Sequence, residues 1–306
     1  MEGEWVNATL GEVCEFRAGT VFKPEFQGKT SGDYPFIKVS DMNLPANAVR
    51  IQTSSNWVSA DDLAALKAKP FPAGTVVFAK IGEALRHNRF RKVVRETLID
   101  NNMMGAVPNR SRIDPTFLYY ALSQFDFSEI AQGTALPYLT VASLSALTLA
   151  IPPGKEQRAI AHILGTLDDK IELNRRMNET LEAIARAIFK SWFVDFDPVR
   201  AKASGEPPES ICRRLGLTPD LLALFPDRLV DSELGEIPEG WGVGRLDEEF
   251  DLTMGQSPPG ETYNEVGNGI PFYQGRADFE SRFPKRRVYC SAPKKLAKRG
   301  DTLISV

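Results

Sequence analysis

Two segments rich in lysine and arginine are the strongest functional signal in this sequence, and side chains of this kind bind phosphates. Between Lys80 and Arg95 six basic residues face one acid, Glu83, and between Arg276 and Arg299 nine basic residues face two acids. Lysine and arginine neutralise phosphates and release counterions, and arginine also hydrogen-bonds base edges in the major groove. Both runs therefore indicate contact with nucleic acid, with a solvated charged loop as the alternative for either run alone.

Several polar residues near the first run extend this prediction. Asparagines in LIDNNMMG and a threonine and a tyrosine in QGTALPYLT could reach bases or merely cap turns. The predicted nucleic-acid contacts are Lys23, Lys38, Lys80, Arg86, Asn88, Arg89, Arg91, Lys92, Asn101, Asn102, Thr134, Tyr138, Arg276, Arg286 and Arg287. The whole chain has 37 basic and 40 acidic residues, so binding would depend on these local concentrations of positive charge.

Motifs that would make or break bonds are missing from the sequence. No Gly-x-x-x-x-Gly-Lys-Ser/Thr loop for ATP occurs, and no Glu-x-Lys pair is present for a metal-dependent nuclease. The nearest pattern, Asp168-x-Lys170, falls in an amphipathic helical segment and is interpreted as a solvated face. No Asn/Asp-Pro-Pro-Tyr/Phe element for methylation occurs either. We predict no catalytic site in this chain.

Composition and length set further bounds. The 306 residues fit about two domains, and 42% hydrophobic with 25% charged residues is typical of globular proteins. Three scattered cysteines and two histidines predict no metal site. No apolar run approaches the roughly 18 residues that span a membrane. We expect a cytoplasmic protein that does not enter membranes.

The first basic run lies within a predicted α+β domain, residues 1–153, whose helices and strands would position it. A helix is predicted after Asp114, a good N-cap with a proline behind it, because apolar residues recur at helical spacing up to Phe125. The predicted strands, each bounded by turn-forming residues, lie within 34–41, 74–82 and 146–153.

A single long helix is predicted over residues 154–193. From Glu156 to Trp192 there is no proline, and residues of one stripe recur in alternating steps of four and three, the heptad pattern of a coiled coil. The predicted pairing residues are Ile160, Leu164, Leu167, Ile171, Asn174, Asn178, Leu181 and Ile188. The two asparagines would fix the pairing register if buried, and would face solvent otherwise. A lone helix would expose this stripe, so a partner is expected.

The end of the chain repeats its beginning at an offset of 236 residues. The matched positions are Trp5 and Trp241, Leu10 and Leu246, Gly19 and Gly255, and Pro35-Phe36 and Pro271-Phe272. This repetition predicts a second, partial domain of the same kind at 241–306, after a linker at 194–240 that contains a short helical candidate around Asp220 to Leu224. In that domain, GDTLIS at 300–305 is the expected counterpart of the GTVVFA strand at 74–79.

Two segments carry a resemblance to a known family. IPPGKEQRAIAHILGTLDDKIELNRRMNETLEAIARAIFKSWFVDFDPV (151–199) resembles the central region of the specificity subunits of type I restriction-modification systems. FPDRLVDSELGEIPEGW (225–241) resembles the lead into their second target-recognition domain. Weaker signals are Trp5, Gly19 and the PP-x-x-EQ pattern of Pro152, Pro153, Glu156 and Gln157.

The resemblance implies a DNA-recognition subunit that is not itself an enzyme. In this family two target-recognition domains each bind half of a bipartite duplex sequence, and helices hold the domains apart as an antiparallel coiled coil. The implied partners are DNA adenine methyltransferase subunits, which use S-adenosylmethionine, and motor-nuclease subunits, which use ATP and Mg²⁺; this chain itself needs no cofactor. A helix of about 33 residues, roughly 50 Å long, would place the domain centres about 14 base pairs apart.

The sequence also departs from the family pattern. The second target-recognition domain and the second helix that would follow it are not complete by Val306, so we expect a chain truncated within that domain. The heptad stripe then has no intramolecular partner, and we expect self-association through the helix or dependence on methyltransferase subunits. The alternative function is a protein-binding helical scaffold without DNA affinity. An enzyme would require nicking or methylation by the chain alone.

Overall fold

The structure, a computed structural model, describes residues 4–133, 135–279 and 283–305. Its internal contacts divide the chain into a first unit, residues 1–184, and a second unit, residues 185–306. The described residues combine helices and strands in both units, so the predicted α+β class is confirmed.

The first unit contains short strands that are joined by turns and short helices. Its strands are β1 (Val6–Thr9), β2 (Cys14–Ala18), β3 (Tyr34–Ile37), β4 (Arg50–Ile51), β5 (Trp57–Val58), β6 (Val76–Ala79), β7 (Phe90–Val93), β8 (Leu98–Ile99), β9 (Met103–Pro108) and β10 (Thr148–Ile151). Its helices are α1 (Leu10–Val13), α2 (Ala60–Leu66), α3 (Glu83–Arg86), α4 (Pro115–Leu122), α5 (Val141–Ser145) and α6 (Gly154–Phe193), which continues into the second unit.

Three sheets form the framework of the first unit. The largest has the order β2-β9-β6-β7-β4, and a smaller one has the order β5-β3-β8. Strand β1 pairs with β10 in antiparallel register, from Val6 opposite Ile151 to Thr9 opposite Thr148. This last pair ties the beginning of the domain to the start of α6, because α6 follows β10 directly.

The predicted elements of the first domain form where their local signals are strongest. Strands β3, β6 and β10 lie inside the three predicted ranges. Helix α4 begins at Pro115, and the Asp114 carboxylate accepts hydrogen bonds from the backbone N–H groups of Thr116 and Phe117. This confirms the predicted N-cap, in which a side chain satisfies donors that the first helical turn leaves free. The buried face of α4 includes Leu118 and Leu122.

Helix α6 is continuous over 40 residues, within the predicted bounds of 154–193. At 1.5 Å per residue it is about 60 Å long. One of its faces lies on the first domain: Gln157, Ala161 and Gly165 are buried there. The small side chains at two of these three positions let the helix approach the domain closely.

The predicted pairing stripe occupies a different face of α6. Leu167, Ile171 and Leu181 are more than half exposed among the described residues, with Ile171 at 66%. Asn174 and Asn178 are exposed as well. Ile160 is an exception to the predicted stripe, because it is half-buried and packs against the core of the first domain. Its assignment as a helix-pairing residue is corrected accordingly.

The segment 194–240, interpreted as a linker with one short helix, contains further folded elements. It contains α7 (Asp197–Ala203), α8 (Pro208–Leu215), α9 (Pro219–Ala223) and an antiparallel hairpin of β11 (Leu229–Ser232) and β12 (Gly235–Pro238). Ala201, Ile211, Leu217 and Leu222 form a small buried cluster beneath these helices. Cys212, Leu215 and Phe225 are partly buried and pack against this cluster.

The rest of the second unit repeats local structure from the first. Its described elements are α10 (Leu246–Glu249), β13 (Tyr263–Asn264), β14 (Ile270–Phe272) and β15 (Val288–Cys290). Helices α1 and α10 begin at the predicted offset of 236 residues. In the small sheets, Pro35 lies opposite Trp57 just as Pro271 lies opposite Tyr289. At these positions the two segments share local structure, and the second, partial domain stays a prediction.

The two copies of the repeat differ in how far their equivalent side chains are buried. Leu10 is fully buried, whereas its counterpart Leu246 is 68% exposed. The predicted strand at 300–305 does not form in the described residues. In the first copy β6 is hydrogen-bonded on both sides, by β7 and β9, and no strand pairs with 300–305 among the described residues. An isolated strand lacks those ladder hydrogen bonds and does not persist.

Candidate nucleic-acid interface

Several strands of the first unit end at the same edge. Strand β2 ends at Ala18 opposite Met104, and β6 ends at Ala79 opposite Met103. Strands β3 and β8 run parallel, with Ile37 beside Ile99. The loops after β2, β3 and β6 therefore meet the turn between β8 and β9. We call this edge the strand-end surface, which consists of residues 19–23, 38, 80–82, 100–102, 132–133 and 135–138.

Backbone hydrogen bonds join the segments of the strand-end surface. The Asp100 N–H donates to the Ile37 carbonyl at 2.9 Å, and the Lys80 N–H donates to the Asn102 carbonyl at 2.9 Å. The Thr20 N–H donates to the Ile99 carbonyl, also at 2.9 Å. These bonds link four separate parts of the sequence into one fixed surface.

A small hairpin completes the strand-end surface on one side. Gln132 and Tyr138 exchange two backbone hydrogen bonds of 2.9 Å, and the Gly82 N–H donates to the Pro137 carbonyl at 2.8 Å. Leu136 is 58% exposed and Tyr138 41% exposed. Thr134, another predicted contact, lies outside the described residues. The hairpin thus presents apolar and aromatic surface beside Lys80.

Six of the predicted contacts gather on this surface. Asn101 and Asn102 are exposed on the turn between β8 and β9. The Lys23 ammonium is exposed and lies 3.8 Å from the Glu25 carboxylate. The Lys38 ammonium donates to the side-chain oxygen of Gln27 at 2.6 Å. With Lys80 and Tyr138, these residues combine positive charge, amides and an aromatic ring on one edge.

Arg86 and Arg89 follow the strand-end surface along the chain. Arg86 is exposed at the end of α3 and lies 3.4 Å from the Glu83 carboxylate. The exposed Arg89 guanidinium donates to the side chain of Asn43. Because β7 begins at Phe90 opposite Phe78, near the end of β6, both arginines are close to the same edge. They extend the basic character of the surface.

The side chains of three other predicted DNA contacts form hydrogen bonds within this chain instead. The Asn88 amide donates to the Phe125 carbonyl at 2.7 Å and accepts from the Phe127 N–H at 3.1 Å. Arg91 donates to the Met42 carbonyl at 2.9 Å, and the Lys92 ammonium donates to the Thr116 hydroxyl at 2.8 Å. Burial lowers the pKa of Lys92.

Arg91 and Lys92 bond to protein groups because they lie inside strand β7, which has a neighbouring strand on each side. Asn88 has a positive φ of 47° and lies between α3 and β7. Its side-chain amide holds the backbone at Phe125 and Phe127. The geometry gives these three side chains structural roles and does not support the predicted contact with DNA.

The second basic run lies in the second unit, and it also contains both an exposed arginine and an arginine that is paired within the protein. Arg286 is exposed. The Arg287 guanidinium donates to the buried Asp278 carboxylate at 2.8 Å. The pKa of Asp278 is lowered, chiefly by a hydrogen bond from the Gln274 N–H and then by Arg287. The backbone of Arg276 begins a short 3-10 turn, Arg276–Asp278.

Helix α6 is held on the first domain by polar contacts that the sequence pattern did not indicate. The Tyr120 hydroxyl donates to Asp168 at 2.6 Å, and Arg50 donates to Asp169 at 2.5 Å. Further along, Arg175 donates to the Pro45 carbonyl and Arg176 to the Gln52 side chain. Asp168, the nearest approach to a nuclease pattern in the sequence, is thus an anchor between helix and domain.

A buried glutamine fixes the beginning of the same helix. The Gln157 side chain accepts from the Asp114 N–H at 2.8 Å and donates to the Pro152 and Arg112 carbonyls at 2.9 and 3.2 Å. Next to it, Glu156 accepts from the Trp5 indole at 3.1 Å. The PP-x-x-EQ pattern therefore joins β10, α4 and α6, and its contacts serve the fold rather than chemistry.

Tyr120→Phe is expected to lower the free energy of unfolding of the first unit by about 2 kcal/mol at neutral pH, because the hydrogen bond from Tyr120 to the Asp168 carboxylate is lost. Burial, followed by Asp168, raises the pKa of Tyr120. The folded state therefore holds this proton more tightly, and the resulting stability is lost as pH rises above the ordinary tyrosine pKa of about 10. Thermal unfolding at pH 7 and pH 11 should show a smaller alkaline loss in the variant.

Tyr138→Phe is the matched control, since its ring is exposed on the strand-end surface. It should retain the stability and the alkaline loss of the parent protein. Identical behaviour of the Tyr120 and Tyr138 variants at both pH values would show that the Tyr120 hydroxyl contributes nothing to the anchor.

Within the described residues, no group of three histidine, cysteine, aspartate or glutamate side chains is placed to hold a metal ion. The helices in that part of the chain also include none that is long and apolar enough to cross a membrane.

Comparison with known proteins shows which family of sequences this chain resembles. Residues 2–183 match the type I restriction modification DNA specificity domain. The chain is 33% identical over 213 residues to the type I restriction enzyme HindI specificity subunit of Haemophilus influenzae, covering 57% of this chain and 46% of that protein. It is 30% identical over 213 residues to the putative type I restriction enzyme MjaX specificity subunit of Methanocaldococcus jannaschii, covering 67% and 44%.

The chain spans about half the length of the curated relatives it matches. Among solved structures, the S subunit of a type I restriction-modification system from M. genitalium is similar, with 16% identity and a TM-score of 0.43. That similarity covers 94% of this chain and 62% of the other.

Proposed function

Because this chain belongs to the type I restriction modification DNA specificity family, we propose that its first unit binds one half of a bipartite DNA sequence through the strand-end surface. The observation that carries this proposal is the convergence of Lys23, Lys38 and Lys80 with two exposed asparagines on one edge of the domain. The chain itself is a reader of DNA and performs no chemistry.

The electrostatics of the strand-end surface suit a duplex. Ammonium groups on flexible side chains contact phosphates, whereas exposed amides can hydrogen-bond base edges. Lys38 lies 5.3 Å from the centre of the Phe22 ring and is bonded to Gln27, so its charge has a defined position. Phosphate contacts of this kind set the register of a protein on DNA, and the neighbouring amides then supply sequence preference.

The proposed partners follow from the family. DNA adenine methyltransferase subunits would use S-adenosylmethionine, and motor-nuclease subunits would use ATP and Mg²⁺, in a cytoplasmic complex with this chain. The exposed stripe of α6, including Leu167, Ile171 and Leu181, supports docking of another helix. A second copy of the chain is the proposed occupant when no other helix is supplied, with Asn174 and Asn178 setting the register.

The test of the DNA-binding surface uses the full chain with a fluorescent random-sequence duplex at 50 and 200 mM salt. Replacing Lys23, Lys38 and Lys80 together by alanine should lower affinity about 10-fold or more at low salt. The slope of log K against log salt should become shallower by up to about 3, since each phosphate contact contributes about 0.9. Alanine at Lys69, Lys155 and Lys170, exposed lysines outside the surface, is the matched control.

Equal affinity and equal salt slope for the two triple variants would exclude the strand-end surface as the DNA site. A chain that binds a methyltransferase subunit tightly but no duplex would favour the helical scaffold. Co-expression with a methyltransferase subunit, followed by mapping of methylated adenines, should reveal a bipartite motif if the proposed function is right.

A further inference from the structure

We propose that Asn101 and Asn102 read adenine in the half-site bound by the first unit. This inference rests on the proposed DNA-binding function and assigns the base that the strand-end surface prefers. It depends on the position, exposure and rigidity of the turn that carries the two asparagines.

The two asparagines occupy the corner of a tight turn between β8 and β9. The Met103 N–H donates to the Asp100 carbonyl at 2.9 Å, which closes the turn around them. Both residues are exposed, and among the described residues neither side-chain amide has a hydrogen-bond partner. Each amide is therefore free to bond with an incoming ligand. Adjacent corner positions place the two amides at the outermost point of this turn.

The turn cannot easily move, because it is held from several sides. The Asp100 carboxylate accepts from the Asn102 N–H at 2.8 Å, so this acid stabilises the turn from within. Lys80 and Ile37 bond its backbone from the neighbouring loops. On a third side lies Gly19, where a Cβ atom would stand 2.1 Å from the Asp100 carbonyl oxygen. A site fixed in this way binds without first having to be ordered.

The chemistry of the amide selects the base. A carboxamide offers one donor and one acceptor side by side, which matches the N6 amino group and N7 of adenine in the major groove. Guanine presents two acceptors there, N7 and O6, and is read best by arginine or lysine. Lys38 and Lys80 lie beside the turn, but Lys38 is already bonded to Gln27. We assign the lysines to phosphates and the two amides to adenine.

The size of the surface is compatible with the major groove. The groove is about 12 Å wide and admits a helix or a two-stranded ribbon. Strands β8 and β9 belong to different sheets and form no such ribbon. Only the turn at residues 100–103, closed by the hydrogen bond from the Met103 N–H to the Asp100 carbonyl, would enter the groove. The exposed hairpin with Leu136 and Tyr138 lies beside it and adds apolar surface of the kind that contacts thymine methyl groups.

The experiment selects preferred sequences from a random duplex library with the full chain. Asn101→Ala and Asn102→Ala are compared with the parent protein and with Lys80→Ala. In the parent, at least one position should be enriched in adenine. In at least one asparagine variant, the preference for adenine at one or two adjacent positions should fall by about 10-fold or more, and the other positions should stay unchanged. Lys80→Ala should weaken binding to all sequences alike.

Unchanged preferences in both asparagine variants would overturn the assignment, as would an equal loss of preference at every position. A parent protein that binds duplex without enriching any sequence would also overturn it. In contrast, failure of the proposed function appears as absence of duplex binding by the parent protein. Hydrogen exchange of residues 98–106 checks that the turn keeps its structure in both variants.

Discussion

Replacing Gly19 by alanine is expected to destabilise the first unit by about 3 kcal/mol. The new Cβ atom would lie 2.1 Å from the Asp100 carbonyl oxygen and 2.4 Å from the Ile99 carbonyl oxygen. Both are backbone atoms, so no rotation of a side chain can relieve the clash. The strand-end surface would have to open, and we expect its affinity for DNA to fall together with the stability.

Gly255→Ala provides the matched control. Gly255 is the counterpart of Gly19 in the internal repeat, and its added Cβ would meet nothing within 4 Å. Hydrogen exchange of β2 and β9 peptides, which flank Gly19, should be faster only in the Gly19 variant. If both variants keep the protection of the parent protein, the close approach of Gly19 to Asp100 is not a constraint on the fold.

Replacing Gln157 by leucine is expected to cost a similar amount, about 3 kcal/mol. The change removes one acceptor and two donors from a buried site, and leaves the Asp114 N–H and the Pro152 and Arg112 carbonyls without their partner. Each buried polar group left unpaired costs about 1–3 kcal/mol, and water can satisfy some of them. Because Gln157 connects α4 with α6, the loss should also loosen the first turns of the long helix.

Gln124→Leu, at an exposed position, should change stability by less than about 0.5 kcal/mol. Urea unfolding with helical circular dichroism and hydrogen exchange of residues 154–166 would measure both effects. A Gln157 variant as stable as the Gln124 variant would mean that the three hydrogen bonds contribute no net stability.

Local signals explain what could be predicted of the fold. Asp114 is both an N-cap and a neighbour of proline, and the α6 stripe keeps one period over about eight helical turns, so both elements are recognisable without tertiary information. The anchoring face of α6 was not recognisable. Gln157 and Asp168 look like ordinary surface residues, because their partners Asp114 and Tyr120 are more than forty residues away in the chain.

The grouping of residues at the candidate site is not readable from the sequence, for a related reason. A run of charge along the sequence does not reveal that Arg91 and Lys92 lie within a strand whose neighbours bury them partly. The grouping of Lys38 with Asn101 depends on parallel pairing of β3 with β8, which is a relation between distant segments. Of the three short helices in 194–240, the sequence indicates only the one around Asp220 to Leu224. The other two, Asp197–Ala203 and Pro208–Leu215, pack through buried residues such as Ile211.

The continuity of α6 fixes the angle between its anchored face and its exposed stripe. Gln157 and Gly165 clamp its near end, while the stripe containing Leu181 continues along the same rigid cylinder. One residue inserted between Gly165 and Leu181 would turn the stripe by about 100° around the helix axis, whereas seven would restore the phase to within about 20° and lengthen the helix by about 10 Å. The direction in which the stripe points is therefore encoded in the number of residues between clamp and stripe, whatever their identities.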